Sequence, residues 1–284
     1  MSIEVQQYFP CEKKVEDSKQ QVFEFWNAGS CGEDLYLTST KRSGYEDQAR
    51  SRYKLEPYIL EFAKFELSKG KRVLEIGVGL GADHQLFAEA GAILTGVDLT
   101  KRAIENTKNR FDTFKLQSSL SVGDAENLSF SDETFDIVYS WGVLHHSPNT
   151  PRAISEVLRV LKPGGTARIM IYSKWSIVGI MLWIRYALMK FRPWMTITEM
   201  YSRYLESPGT KAYTIAEAQI LMKSFTDRKI WTVLTHGDLL ESAAGQRHTG
   251  PLLNLARRIW PRWIIRTFFP TSGLFMLIEA RKPV

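Results

Sequence analysis

Between residues 71 and 172, short apolar segments alternate with stretches of helical character. Five of these segments have the length and composition of buried strands: 71–77, 92–98, 116–122, 134–140 and 166–172. Such alternation predicts βαβ units, and therefore a parallel sheet with helices on both faces. Two further strand-like segments, 229–235 and 273–280, follow after a break in the pattern. The chain of 284 residues is long enough for one large domain or two modest ones.

The first strand of the series runs directly into a glycine-rich turn. Residues 73–82 read Val-Leu-Glu-Ile-Gly-Val-Gly-Leu-Gly-Ala, an apolar strand followed by three alternating glycines and helical sequence. Glycines let a ligand approach the backbone, and a helix N-terminus favours electron-rich groups. Asp98 ends the second strand, where a carboxylate can accept hydrogen bonds from both hydroxyls of a ribose. The two features indicate an adenosine-containing cofactor, with an unliganded turn and a helix-capping aspartate as the alternatives.

Five motifs in succession give the chain a resemblance to the class I S-adenosylmethionine-dependent methyltransferases. They are LEIGVGLG (74–81), GVD (96–98), GDAENL (123–128), FDIVYSWGVLHH (135–146) and LKPGG (161–165). One such motif is weak evidence. Five in order at the family's spacings are strong, and they argue against a nicotinamide dehydrogenase. The chain is most similar to the branch that includes ubiquinone, menaquinone and other small-molecule methyltransferases.

The resemblance and the strand pattern together imply a Rossmann-like α/β fold. We expect a seven-stranded sheet that is mostly parallel, with an antiparallel last strand and helices on both faces. The chain then divides into an N-terminal helical lid or substrate segment (1–69), a cofactor-binding core (70–172), an insertion or lid (173–213) and a C-terminal part of the core (214–284), which carries a second insertion (237–271).

The resemblance also implies that the chain binds S-adenosyl-L-methionine, releases S-adenosyl-L-homocysteine and uses no metal ion. It places three glycines beside the methionyl part of the cofactor and one carboxylate as the group that orients the turn: Gly77, Gly79, Gly81 and Glu75. It places Asp98 at the ribose hydroxyls, Leu99 against the adenine, Asp124 at the adenine amino group and Ala125 near a ring nitrogen. Ser140 and Trp141 would flank the sulfonium and face the acceptor.

The acceptor must lose a proton if a hydroxyl or thiol is methylated. His145 and His146 follow the fourth strand, and histidine titrates near neutrality, so either could act as the base. We favour His146, and hydrogen bonding of both rings to the loop backbone is the alternative. Trp26, Tyr53 and Trp175 are expected to contact the substrate.

The charge is divided unevenly along the chain. Residues 1–150 contain 17 Lys and Arg against 23 Asp and Glu, a net charge of −6, whereas residues 151–284 contain 20 against 8, a net charge of +12. Residues 175–191 are apolar nearly all round, and residues 252–269 combine arginines with aromatic side chains. Core packing, cover of an apolar pocket and peripheral contact with a membrane surface all fit these segments.

Composition favours a cytoplasmic protein, either free or peripheral to the inner face of a membrane. The chain has two cysteines, no apolar run of about 20 residues and a polar N-terminus without signal-peptide character.

The resemblance to the methyltransferases predicts methyl transfer, by in-line displacement, to a small apolar or aromatic metabolite. Methylation of RNA is the alternative reaction, although nucleic acid is the less favoured partner, and a non-catalytic cofactor-binding scaffold is the third interpretation.

Overall fold

One sheet of seven strands carries the fold. The strands are β1 (Arg72–Ile76), β2 (Ile93–Asp98), β3 (Ser119–Val122), β4 (Phe135–Trp141), β5 (Leu161–Tyr172), β6 (Thr226–Val233) and β7 (Phe275–Arg281). Their order across the sheet is β3-β2-β1-β4-β5-β7-β6. Strands β1 to β5 pair in parallel, and β7 is antiparallel to both of its neighbours. The predicted fold class is confirmed. Strand order reverses between β1 and β4, where open α/β sheets place their ligands.

The computed structural model describes residues 12–242 and 251–284. Residues 1–11 of the predicted N-terminal segment and residues 243–250 of the second predicted insertion lie outside the described residues. The helices are α1 (Glu12–Ala28), α2 (Glu33–Tyr36), α3 (Arg42–Leu55), α4 (Tyr58–Ala63), α5 (Ala82–Glu89), α6 (Lys101–Phe114), α7 (Thr150–Val160), α8 (Ile177–Tyr186), α9 (Ile197–Met200), α10 (Ile215–Leu221), α11 (Pro251–Ile259) and α12 (Arg262–Phe268). A π-helical turn, Tyr201–Leu205, follows α9.

Alternating side chains of the central strands build two hydrophobic clusters, because successive residues of a strand point to opposite faces. Leu74 and Val138 belong to one cluster, together with α7 and α10. Val73 and Tyr139 belong to the other, which includes α4 and α5. Burying each such aliphatic side chain contributes about 1.5–3 kcal/mol. The sheet edge that carries the glycine turn is therefore held rigidly from both faces.

Strand β5 begins earlier than the sequence predicts, at Leu161 instead of residue 166. Gly164 and Gly165 therefore lie within an extended, irregular start of the strand. Gly164 N donates to Lys282 O, and Lys282 N donates to Gly165 O, so the C-terminal end of the chain pairs with this segment. These contacts join residues more than 100 positions apart and leave no local signal.

No helix in the described part of the chain has both the length and the apolar content needed to cross a bilayer.

Candidate cofactor and acceptor site

A cavity of about 460 Å³ lies at the carboxyl ends of β1, β2 and β4. It extends from the glycine turn to residues of α1 and α8 and to the loop after β6, and most of its wall is apolar. Its size and character are typical of small-molecule sites. The cavity is continuous, so groups at the glycine turn and groups elsewhere on its wall can contact two ligands that are bound side by side.

The glycine turn presents its backbone to this cavity. Gly77, Gly79 and Gly81 all have positive φ, a conformation that other L-residues adopt at a cost. A Cβ on Gly77 would lie 2.0 Å from Cγ2 of Val143, whereas a Cβ on Gly79 would meet nothing within 4 Å. Gly77 is therefore required by packing, and Gly79 borders space that a ligand can fill.

Asp98 lies beside the turn with one carboxylate oxygen largely committed to the fold. Oδ1 accepts hydrogen bonds from the backbone N and the Oγ1 of Thr100, both at 2.9 Å. Oδ2 accepts a longer bond from Gly79 N, at 3.3 Å. Burial raises the pKa of Asp98 above its usual value, and the bonds from Thr100 and Gly79 oppose that rise. Oδ2 keeps acceptor capacity toward the cavity.

Asp124 is held by the N-terminal helix. Lys19 Nζ of α1 lies 2.6 Å from Oδ2 of Asp124 and 2.9 Å from Oε2 of Glu126. Asp124 Oδ1 accepts from the backbone N of Glu126 at 2.9 Å, which fixes the carboxylate in a local turn. The lid segment and the predicted adenine site therefore share an ion pair that the sequence did not reveal. Leu99 and Ala125 line the cavity between Asp98 and Asp124.

Glu75 lines the cavity and is bonded to a buried histidine of α5. Its Oε2 lies 2.9 Å from Nδ1 of His84, and Nε2 of His84 lies 2.7 Å from the hydroxyl of Ser118. Burial lowers the pKa of His84 to about 3, so the ring is neutral at physiological pH. Burial also raises the pKa of Glu75 well above its usual value, reinforced by the nearby charge of Asp83.

His146 lines the same cavity. Its Nδ1 lies 2.9 Å from the hydroxyl of Ser207 and 3.1 Å from that of Thr210. The Thr210 hydroxyl donates to Ser207 O at 2.6 Å, so toward Nδ1 it can only accept, whereas the Ser207 hydroxyl can donate to Nδ1 or accept from it. Nε2 is buried without a hydrogen-bond partner.

A carboxylate faces that nitrogen. Glu206 Oε2 lies 3.3 Å from Nε2 of His146 and accepts a hydrogen bond of 2.6 Å from the hydroxyl of Tyr172. Glu206 follows the π-helical turn, and the Trp26 ring of α1 packs edge-on against His146 at 5.2 Å between centroids. A proton or a donor group placed between Nε2 and the carboxylate would satisfy both.

Two further groups line the same region, and sequence reasoning missed both. Burial raises the pKa of Glu56 to about 7, an effect that Arg52 opposes. Burial, with the charges of Glu206 and Glu56, raises the pKa of the Cys31 thiol to about 12. The Cys31 side chain is accessible from the cavity. Glu56 follows the end of α3. The sequence around Glu56, like that around Glu206, contains no motif that marks a functional residue.

Among the described residues, His145, His146 and Glu206 form the group that could hold a metal ion. One ligand atom from each lies within 4.8 Å of the other two. Two imidazoles and one carboxylate suit Zn²⁺ and related divalent ions. Both ring nitrogens of His145 are buried without a hydrogen-bond partner, and burial lowers its pKa well below the usual value.

The model of a family described as a methyltransferase domain matches residues 74–169. That range contains the glycine turn, Asp98, Asp124 and the histidine pair. This core of the chain is therefore similar to a methyltransferase domain.

Curated methyltransferases match over the same core. The ubiquinone biosynthesis O-methyltransferase of Coxiella burnetii is 33% identical over 112 residues, which is 39% of this chain and 48% of that protein. The phthiotriol/phenolphthiotriol dimycocerosates methyltransferase 1 of Mycobacterium ulcerans is 43% identical over 102 residues, 35% of this chain and 36% of that protein. The chain thus spans about half or less of the length of these curated relatives.

A solved methyltransferase structure extends the likeness over most of the chain. A phosphoethanolamine N-methyltransferase 2 of Haemonchus contortus, in complex with phosphomonomethylethanolamine and S-adenosylhomocysteine, aligns with a TM-score of 0.58 and 18% identity. The alignment covers 93% of this chain and 60% of that one. At this identity the likeness shows the fold.

Four residues predicted at the methyltransferase site lie away from the cavity wall. Ser140 is fully buried and donates to Ile76 O at 3.0 Å. His145 is fully buried against Tyr172, with 3.9 Å between ring centroids. Tyr53 donates to Asp83. Trp175 is 63% exposed on the surface.

The other predicted residues come together. Eleven of them line the one cavity: Trp26, Glu75, Gly77, Gly79, Gly81, Asp98, Leu99, Asp124, Ala125, Trp141 and His146. Trp141 also belongs to the core, where its ring stacks on Tyr58.

Proposed function

We propose that this protein transfers a methyl group from S-adenosylmethionine to a small, largely apolar acceptor that carries an ionisable hydroxyl. The observation that carries the proposal is one continuous cavity whose wall holds the glycine turn, the Asp98 carboxylate and the pair His146 and Glu206. The apolar wall between them favours a lipid-like or aromatic acceptor over a charged one. The relatives that act on ubiquinone precursors and on phthiotriol dimycocerosates support this acceptor class.

The residues present fit the cofactor. The space beside Gly79 is open, and a Cβ at this position would fill part of it. Asp98 Oδ2, which accepts from Gly79 N, can accept a further hydrogen bond. We assign the ribose to Asp98, the adenine to Leu99, Ala125 and Asp124, and the methionyl part to the glycine turn. When bound, the cofactor supplies an electrophilic methyl group on a sulfonium.

The chain's own contribution is to orient the acceptor and to accept its proton. Trp26 of α1 and the inner face of α8 would hold the acceptor and exclude water. Alignment of two reacting groups can lower a barrier by about 7–11 kcal/mol. Nε2 of His146 takes the proton from the acceptor hydroxyl, and the Glu206 carboxylate stabilises the resulting imidazolium. Base catalysis of this kind contributes about 10²- to 10⁴-fold in rate.

Two substitutions separate cofactor binding from chemistry. Asp98→Asn should weaken binding of S-adenosylhomocysteine in calorimetry, because hydrogen bonds to a charged group contribute about 1.5–3 kcal/mol each. His146→Gln should bind S-adenosylhomocysteine like the wild type and lose about 10²- to 10⁴-fold in turnover. Turnover is measured with radiolabelled cofactor on a panel of phenols, hydroquinones and long-chain alcohols.

Two results would contradict the proposal. One is a wild-type protein that binds neither the cofactor nor S-adenosylhomocysteine. The other is a His146→Gln variant with undiminished turnover, because the acceptor would then need no base at this position. An RNA arm in the same panel tests the alternative reaction.

A further inference from the structure

We propose that two exposed apolar segments beside the cavity form a docking surface for an anionic lipid bilayer. The docking surface comprises residues 180–194, from the outer face of α8 through the turn after it, and residues 255–269 of α11 and α12. The inference rests on the proposed function only in its purpose, which is delivery of a lipid-like acceptor. Its test reads membrane binding and does not depend on methyl transfer.

The first segment exposes large apolar side chains while its helix lines the cavity. Val178, Met181 and Leu182 of α8 face the cavity. Ile180 and Ile184 lie on the other side of the helix and are 44% and 41% exposed. In the turn that follows, the exposed fraction rises to 87% at Phe191 and 75% at Trp194. Exposed apolar groups this dense mark an interaction site more often than ordinary surface.

The second segment repeats the pattern. Leu255, Ile259, Trp263, Phe268 and Phe269 are between 49% and 72% exposed. Ile265 on the inner side of α12 is buried at 5%, so the helix is anchored on one face and bare on the other. A helix of this kind, apolar on its free face and flanked by arginines, suits the interface between headgroups and acyl chains.

The charge of both segments selects an anionic partner. Residues 157–198 and 242–278 contain no Asp or Glu. Lys190 and Arg192 lie beside the exposed aromatics of the first segment, and Arg258 and Arg266 lie among those of the second. Basic residues near a membrane surface are attracted by anionic lipids. Single-stranded nucleic acid would use the same charges and stack on the aromatic rings, but it would leave the exposed aliphatic side chains Ile180, Ile184, Leu255 and Ile259 in water.

Hydrogen bonds tie the second segment to the cavity wall. The Trp260 indole donates to Asp238 O at 2.9 Å, and Arg262 donates to Leu240 O at 3.0 Å. Leu240 lines the cavity, and the Asp238 carboxylate accepts from the backbone N of Val178 at 3.1 Å. A bilayer in contact with α12 would therefore lie next to the cavity wall that Leu240 and Val178 form.

The test is flotation of the full chain with vesicles of phosphatidylcholine, with and without phosphatidylglycerol. We expect binding to the anionic vesicles that weakens with salt. The double variants Phe191→Ser/Trp194→Ser and Trp263→Ser/Phe268→Ser should each weaken that binding at least about tenfold. Arg258→Glu should weaken it on anionic vesicles alone. Each variant must keep the circular-dichroism spectrum and the thermal unfolding midpoint of the wild type, which shows that it is folded.

Ile220→Ser is the matched control, because Ile220 is 69% exposed on α10, outside the docking surface. It should leave vesicle binding unchanged. Wild-type protein that fails to float with anionic vesicles would overturn the proposal, as would double variants that both bind like the wild type. Binding to single-stranded RNA that survives both double variants, without vesicle binding, would assign the surface to nucleic acid instead.

Discussion

Two neighbouring glycines of the turn separate the structural role of the backbone from its role in cofactor binding. Gly77→Ala introduces a Cβ 2.0 Å from Val143 at a φ of +86°. The backbone strain costs about 1–2 kcal/mol, and overpacking adds about 1–3 kcal/mol. Gly79→Ala carries the strain alone, since its Cβ meets nothing within 4 Å. We therefore expect Gly77→Ala to lower the free energy of unfolding by about 2–5 kcal/mol and Gly79→Ala by about 1–2 kcal/mol.

The affinities should follow a different order from the stabilities. The new methyl group of Gly79→Ala occupies space assigned to the methionyl part of the cofactor. This variant, although close to the wild type in stability, should therefore bind S-adenosylhomocysteine at least about tenfold more weakly, a loss of about 1.4 kcal/mol in binding free energy. Urea unfolding gives the stability and calorimetry gives the affinity. If Gly79→Ala binds like the wild type, the space beside this glycine does not hold the cofactor and the assignment of the turn is refuted.

Three further outcomes test the site and its support. Because burial raises the pKa of Glu56 from 4.5 to about 7, its contribution to stability is present below pH 4.5 and is lost as the pH rises through 7. Glu56→Gln should remove up to about 3 kcal/mol of that pH dependence in urea unfolding between pH 5 and 8.5, and equal slopes for the two proteins would contradict it. Arg110→Met leaves four buried acceptors without their donor, so the free energy of unfolding should fall by about 3 kcal/mol or more, whereas the exposed Arg50→Met should change it by less than about 0.5 kcal/mol. Dialysis against a chelator should leave methyl transfer intact, and activity that returns only with added Zn²⁺ would show that His146 and Glu206 act through a metal.

The parts of the fold that follow from local sequence were predictable. Strands β1, β2 and β4 are largely buried and carry several Val, Ile and Leu side chains, and a glycine turn after such a strand has few structural solutions. Asp98 was predictable because the end of β2 adjoins that turn in any doubly wound sheet. The antiparallel β7 was implied by the resemblance to the methyltransferases and not by periodicity.

The partners of His146 and Asp124 could not be predicted, because these contacts join distant residues. Glu206 meets His146 across 60 positions, and Lys19 meets Asp124 across 105. Their flanking sequences carry no motif. Tyr53 was expected at the acceptor, but Arg52 and Tyr139 converge with it on the buried Asp83, and the hydrogen bond to that carboxylate holds the phenol out of the cavity.

The π-helical turn that precedes Glu206 contains one residue more than an α-helical turn would need. Removing that residue would turn the end of this segment, and the residue that directly follows it, by about 100° around the helix axis, while the sheet and the glycine turn stay in place. Glu206 would then swing away from its imidazole, and a different side chain would take over the position. Deletion of a single residue in this short segment would therefore change the surroundings of His146, where we propose that the acceptor binds, and leave the proposed cofactor site unchanged.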